Sequence, residues 1–164
     1  MNRMKHKALF LDRDGVINHD PGDYTMNLDE FIILPTVMEA LTIAQEKGYV
    51  IFVITNQGGI AKGLYTHETV ANMHEYLNRT CQEQGVEIKR IFYSPHHPEF
   101  GNSLSRKPER LLMERALARY NLDPSTSVMI GDRERDVQCA QQVGVRGILI
   151  PTNSALIDVV RTLK

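Results

Sequence analysis

Asp12 and Asp14 stand two residues apart in ALFLDRDGVINHD (residues 8–20), directly behind four apolar residues and just before Gly15. Two carboxylates at that spacing repel each other unless a positive charge lies beside them. Further polar groups recur behind other apolar runs: Thr55-Asn56-Gln57-Gly58-Gly59, and Gly131-Asp132 with Asp136 four residues on. Lys107 lies in SRKPE. Three carboxylates gathered in one crevice would raise one another's pKa and call for a cation. All-oxygen ligands suit a hard divalent ion that keeps some of its waters, Mg²⁺ before Zn²⁺. A metal with open positions can bridge to a phosphate oxygen. The Thr55 hydroxyl, the Asn56 amide, a Gly-rich strand-to-loop turn and one lysine are what a phosphoryl group needs around it.

These residues meet only if the chain positions them. Five apolar runs predict strands: 8–12, 49–55, 88–94, 127–132 and 146–151. They are apolar on consecutive residues, as strands buried on both faces should be. Between them, residues 35–48 carry Val37, Ala40, Leu41 and Ala44 on one helical face, with Pro35 early and Gly48 as the stop. Residues 66–85 stack Val70, Met73 and Leu77 before Gly85, and residues 108–121 stack Leu112, Ala116 and Tyr120 before Asn121. Alternating strands and helices predict an α/β, doubly wound parallel sheet in the order 3-2-1-4-5. In such a sheet ligands bind beyond the carboxyl ends of the strands, where strand order reverses. Asp12, Asp14, Thr55, Asn56 and Asp132 then converge from three separate stretches of chain.

The bulk numbers fit that picture. The 164 residues are read as a single domain, 1–164, with no repeat, linker or room for a large cap domain. A composition of 42% hydrophobic and 24% charged residues is ordinary for a globular protein. A net charge of −1 gives no case for a nucleic-acid or membrane partner. No apolar run approaches a membrane span, and MNRMKHKALF is too short in its apolar part for a signal peptide. Cys81 and Cys139 are isolated, which points to a reducing, cytoplasmic setting. The expected form is a monomer acting on a small phosphorylated molecule.

The motifs FLDRDG, VITN, RKP and IGDRERD, in that order, resemble the haloacid dehalogenase superfamily of phosphohydrolases over roughly residues 7 to 150. A lone D-x-D is common; four motifs in order are specific. The resemblance implies hydrolysis through an aspartyl phosphate. Asp12 would be the nucleophile and Asp14 the general acid, then general base. Mg²⁺ would sit on Asp12, Asp132 and the backbone carbonyl of Asp14, with Asp136 orienting that shell from behind. Thr55, Asn56 and Lys107 would hold the transferring oxygens.

LDRDGVIN, VITNQGGIAKG, SPHHPE, SRKP and GDRERD resemble, more narrowly, the heptose 1,7-bisphosphate phosphatase and histidinol-phosphatase subfamily. That resemblance implies a structural zinc on Cys-x-His and Cys-x-Cys, but the matching positions read Ser94-Pro95-His96 and Ser103-Leu104-Ser105. A serine hydroxyl is far too weakly acidic to replace a thiolate, and His96 with His97 makes a poor tetrahedral site, so no zinc is expected. Pro95, Pro98 and hydrogen bonds must then hold the loop. Arg13, Lys62, Arg106, Arg110 and Arg133 could place positive charge near the crevice, with Arg106 beside Lys107 as a substrate contact. A sugar bisphosphate would welcome that charge; the aminoalcohol cation of histidinol phosphate would not.

Plainer readings exist for each residue. Asp-Gly is a common turn, Asp132 and Asp136 could cap the following helix, and Lys62, Arg110 and Arg133 could be ordinary surface charges. Phe92 and Tyr93 read as strand core. A receiver-type signalling domain gathers acids, a Thr and a Lys, but would not open with D-x-D-G. A polynucleotide 3′-phosphatase would need a basic track, and a silent phosphosugar-binding module would not need every catalytic position intact.

Overall fold

In a computed structural model of the chain, which describes residues 5–164, the predicted topology is present. The first four residues of the N-terminal stretch discussed above lie outside the described residues. The strands are β1 (Ala8–Leu11), β2 (Val50–Asn56), β3 (Ile88–Ser94), β4 (Val128–Gly131) and β5 (Arg146–Leu149). They form one sheet in the order β3-β2-β1-β4-β5, each neighbouring pair parallel. β1 pairs with β2 at Leu11↔Val53 and with β4 at Leu11↔Ile130, so the residues following β1, β2 and β4 emerge side by side.

The helices are α1 (Val37–Glu46), α2 (His67–Glu83), α3 (Leu111–Arg119), α4 (Glu134–Gln141) and α5 (Leu156–Thr162). Successive strand residues point to opposite faces, and each face has its own core. Leu9, Leu11, Ile51 and Val53 pack with Leu41 of α1, Met73 and Leu77 of α2, and Val160 of α5. Ala8, Phe10, Phe52 and Ile54 pack with Met113 and Ala116 of α3 and Ala140 of α4. Helices on both faces account for consecutive apolar residues in the strands.

Burial follows position in the sheet. β1 and β4 are buried throughout, and β2 is buried except at its two ends. The edge strands depart from the expectation of burial on both faces: Lys89, Arg90, Arg146 and Leu149 are exposed. Phe92 and Tyr93 are partly buried against the two cores. Gly48 and Gly85 stand just beyond α1 and α2 with φ of 85° and 73°. α1 begins after Thr36, which takes the left-handed conformation, two residues later than Pro35 alone implied. Cys81 and Cys139 are free thiols buried in different cores. Among the described residues, no helix is long and apolar enough to cross a membrane.

Candidate active site

Asp12 is the first residue past β1, and its amide still donates to Ile130 O of β4 at 3.1 Å. The chain then turns tightly, with Ile17 N and Asn18 N both donating to Arg13 O at 2.8 and 3.1 Å. Gly15 holds the turn at φ 82°, and a Cβ there would lie 2.5 Å from Asp132 Oδ2. A side chain at position 15 would therefore push the β1 and β4 ends apart.

The turn separates the two carboxylates into different environments. Asp12 Oδ1 accepts from its neighbouring amide, Arg13 N, at 2.8 Å and from Lys107 Nζ at 2.8 Å. Lys107 is only 2% exposed and also reaches Ile54 O at 2.6 Å and Asp136 Oδ1 at 2.6 Å. Burial alone would lower the pKa of Lys107, but Asp12 and Asp136 outweigh it and raise it, so the lysine is a firm cation. Burial first, then the charge of Asp136, pushes Asp12 up to about 7 against the pull of Lys107.

Asp14 has its own ring of donors. Its Oδ1 accepts from Arg13 Nη2 at 2.8 Å and Asn18 Nδ2 at 2.9 Å, and its Oδ2 from Gln57 Nε2 at 2.9 Å. Burial works against the charged form, yet the Arg13 guanidinium and these hydrogen bonds outweigh it and hold Asp14 below the usual carboxylate range. Arg13 points away from the crevice mouth and is fully buried. Its Nη1 lies 3.2 Å from His74 Nε2 on α2, and its Cζ lies 5.2 Å from the Phe31 ring. Burial, then Arg13, depress His74 to about 3, so the imidazole is neutral and Nε2 is free to accept from Arg13.

Asp12, Asp132 and Asp136 offer carboxylate oxygens that all lie within 4.8 Å of one another. Asp136 is fully buried; its Oδ2 caps α4 by accepting from Arg133 N at 3.0 Å, while its Oδ1 faces Lys107. The plain cap and the ion pair coexist on one side chain. Asp132 Oδ2 accepts from Thr152 Oγ1 at 2.7 Å, and Asp132 Oδ1 is buried with no hydrogen-bond partner. Three carboxylates against the Lys107 ammonium, with the exposed Arg133 guanidinium 3.5 Å from Asp132, leave an excess of negative charge. An all-oxygen donor set, an orphaned buried carboxylate oxygen and that charge deficit fit a hard divalent cation.

Thr55 is fully buried at the end of β2, with its Oγ1 accepting from Gln57 Nε2 at 2.9 Å. The Asn56 amide is spent on the Lys107 backbone, donating to Lys107 O at 3.1 Å and accepting from Lys107 N at 2.9 Å. Asp14, Asp20, Asp23, Asn56, Gln57, Tyr65, His97 and three arginines, Arg106, Arg133 and Arg135, are among the residues that border the mouth, a cleft of about 350 Å³. Of the five cations singled out in the sequence, Arg106 and Arg133 reach this mouth. Arg13 is committed to Asp14, Lys62 pairs with Glu99 at 3.4 Å, and Arg110 pairs with Glu114 along α3 at 2.9 Å. Arg133 is tied to Asp20 at 3.1 Å and Asp132 at 3.5 Å.

Residues 94–105 carry no metal-ligand group of three among the described residues. Ser105 Oγ lies 2.9 Å from both Ser94 Oγ and Ser103 Oγ, and Ser105 N donates to Ser103 Oγ at 3.2 Å. His97 Nδ1 accepts from Glu99 N at 3.2 Å.

The site also includes residues that carried no role in the sequence. Asn18, Gln57, Tyr65, His74, Arg135 and Thr152 all act through neighbours in space. Gln57 alone had a visible signal, as a polar residue directly behind a buried strand. Thr152 could have been found from strand order: β5 beside β4 brings residues 150–153 next to Asp132, with Ile150 N donating to Gly131 O at 2.9 Å.

The HAD-hydrolase-like family model matches residues 104–161. The D-glycero-D-manno-heptose-1,7-bisphosphate 7-phosphatase of Chlorobaculum tepidum is 40% identical over 157 residues, covering 89% of this chain and 79% of the relative. The D-glycero-beta-D-manno-heptose-1,7-bisphosphate 7-phosphatase of Pseudomonas aeruginosa is 38% identical, covering 98% of this chain and 87% of the relative. Among solved structures, the D,D-heptose 1,7-bisphosphate phosphatase of B. bronchiseptica, complexed with magnesium and phosphate, is 31% identical. It superposes with a TM-score of 0.84 over 96% of this chain and 88% of its own.

Proposed function

The chain belongs to the haloacid dehalogenase-like phosphatases, and from that premise we propose that it removes the 7-phosphate of D-glycero-D-manno-heptose 1,7-bisphosphate. The relatives support the substrate, and the observation that carries the reaction is the division of labour between two carboxylates two residues apart. Asp12 is fixed by Lys107 among metal-fitting acids, while Asp14 is held apart on its own donors.

Asp12 and Asp132, with the backbone carbonyl of Asp14, would hold Mg²⁺, and Asp136 would stand behind them. When bound, the ion neutralises charge on the phosphoryl oxygens and keeps Asp12 ionised. In the first step an Asp12 carboxylate oxygen bonds to phosphorus as the bond from phosphorus to the sugar oxygen breaks. Asp14 gives that oxygen its proton. Asp14 is ionised in the free crevice, and the negative phosphoryl group arriving beside it favours proton uptake. In the second step water attacks phosphorus, Asp14 takes the water's proton, and the Asp12–phosphorus bond breaks to release inorganic phosphate. Lys107 and the Thr55 hydroxyl hold the transferring oxygens. Asn56 acts by fixing the Lys107 backbone.

Arg106 and Arg135 suit the second phosphate. Neither has an ion-pair partner among the described residues, and Arg135 Nε is buried without a hydrogen bond. Burial, then the charge of Arg135, lowers the pKa of Arg106, a repulsion that an anion between them would relieve. Beside Arg106 and Arg135 the cation of histidinol phosphate would meet the same repulsion, which disfavours that alternative there, whereas Asp20 and Asp23 also line the cleft. We also read residues 1–164 as one domain, acting as a cytoplasmic monomer, with the loop around Ser105 held by hydroxyls in place of zinc.

Phosphate release from heptose bisphosphate, histidinol phosphate and p-nitrophenyl phosphate tests the proposal. Mg²⁺-dependent turnover, fastest on the bisphosphate and lost in Asp12→Asn, is expected. Preference for histidinol phosphate would overturn the substrate, and no turnover of any ester would overturn the mechanism.

A further inference from the structure

Gln57 is 2% exposed and uses every hydrogen-bonding group of its amide inside the site. Its Nε2 donates at 2.9 Å to Asp14 Oδ2 and at 2.9 Å to Thr55 Oγ1, which uses both N–H groups. Its Oε1 accepts from Tyr65 OH at 2.8 Å. A carboxylamide can turn over, and the flipped form would set its oxygen against the Asp14 carboxylate. Burial pushes the Tyr65 phenol up to about 12, so it stays a donor and favours the orientation observed. The ring itself has one place to sit. A Cβ on Gly59 would overlap it, Tyr24 packs edge-on at 6.2 Å, and the next residue, Thr66, caps α2.

We propose that Tyr65, acting through Gln57, is a positioning residue that sets Asp14 and Thr55 in register with each other. Because the Thr55 oxygen accepts from Gln57, its own proton is directed elsewhere; it makes only a long 3.5 Å contact with Asn56 O, which a phosphoryl oxygen can replace. Because Asp14 Oδ2 is pinned by the same amide, the proton-transferring carboxylate and the phosphoryl-holding hydroxyl move as a unit. The inference rests on the roles given to Asp14 and Thr55 above.

The test uses Tyr65→Phe, which keeps the ring and removes only the hydroxyl, with Gln57→Leu, the double variant and Asp14→Asn. Each is compared by kcat/KM on the heptose bisphosphate, an alkyl ester, and on p-nitrophenyl phosphate, whose leaving group needs little protonation. General acid catalysis contributes about 10²- to 10⁴-fold, so partial misplacement of Asp14 in Tyr65→Phe should cost about tenfold on the alkyl ester and about twofold on the aryl ester. Gln57→Leu should cost more, and the double variant no more than Gln57→Leu, because one relay carries both effects. Full activity in Tyr65→Phe, equal losses on the two esters, or losses that multiply in the double variant would overturn the inference. An Asp14→Asn variant without ester selectivity would instead overturn the role of Asp14, and this inference with it. Wild-type turnover of neither ester would overturn the phosphatase reaction itself.

Discussion

The crevice around Lys107 and the loop from Ser94 to Ser105 lie side by side at the carboxyl end of the sheet, yet they are held by opposite means. In the crevice, charges from distant parts of the chain are locked together. Lys107 meets Asp12 across 95 residues of sequence, and Asp136 as well, with almost no solvent. In the loop, three neutral hydroxyls join over 11 residues or fewer. Buried charges left unpaired are expensive, whereas a neutral hydroxyl network can lose a member at modest cost. The charged groups are thus concentrated where the structure tolerates least change, and the adjoining loop leads into Arg106 and Lys107, with the Lys107 backbone held by Asn56 of β2.

The sharpest way to break that contrast is Lys107→Met. It strips Asp12, Asp136 and Ile54 O of their shared cation. Breaking a buried pair costs about 3–5 kcal/mol, and loss of a transition-state donor costs about 10²- to 10³-fold in rate. Urea unfolding and steady-state kinetics should show both. A variant that keeps activity within about tenfold of wild type would remove Lys107 from the reaction.

A second, smaller effect tests the crevice from its far side, where His74 braces Arg13. Its pKa falls from an ordinary 6.5 to about 3, chiefly by burial. Below pH 6.5 the unfolded chain takes up a proton that the native imidazole refuses. The contribution of His74 is therefore complete above that pH and is lost as pH falls toward 3. The slope is at most about 1.4 kcal/mol per pH unit. His74→Gln keeps an acceptor for Arg13 but cannot titrate, so its stability should fall less steeply between about pH 6.5 and 5. Parallel curves for the two proteins would mean that His74 is not held neutral.

These two experiments concern residues of very different legibility. Asp12, Asp132 and Thr55 could be singled out because strand ends in a parallel sheet are where ligands bind, and strand order follows from the alternation of elements. Lys107, in the loop before α3, could be singled out only as the lysine a phosphoryl group needs and by the R-K-P motif. His74 could not. Its position on α2 matches the buried face marked by Val70, Met73 and Leu77, and nothing local says that it meets a buried arginine. α4 and α5 were poorly marked for a related reason. α4 buries Asp136, Cys139 and Ala140, too little large apolar surface to print a helical stripe, and α5 has only seven residues. The half-exposed edge strands show the same limit, since exposure depends on place in the sheet and not on the run itself.

Ser105→Ala sharpens the comparison from the loop side. Ser105 is the shared member of the hydroxyl cluster, so the substitution leaves Ser94 and Ser103 without a common partner. The expected loss is about 1–2 kcal/mol in unfolding free energy. Asn56 still holds the Lys107 backbone from β2, so kcat/KM should stay within about threefold of wild type, in contrast to the loss at Lys107. A collapse of activity matching that of Lys107→Met would show that the hydroxyl network, and not Asn56, positions the lysine.

The smallest effect expected is none at all, and it concerns zinc. The loop offers Ser94, Ser103 and Ser105 where the resemblance leads one to expect thiolates. Their hydroxyls are already engaged with one another at 2.9 Å. Nor is His97 free, since its Nδ1 accepts the Glu99 amide. Zinc bound by protein takes thiolate, imidazole or carboxylate in sets of three or four. Among the described residues the one cluster of three such groups is the acidic trio in the crevice. Protein purified without chelator should therefore contain no stoichiometric zinc. A zinc-selective chelator should leave its melting temperature unchanged, while removal of Mg²⁺ abolishes turnover. One zinc per chain, with melting lowered by the chelator, would mean that the loop is held by metal after all. The division between a charged crevice and a neutral loop would then fail.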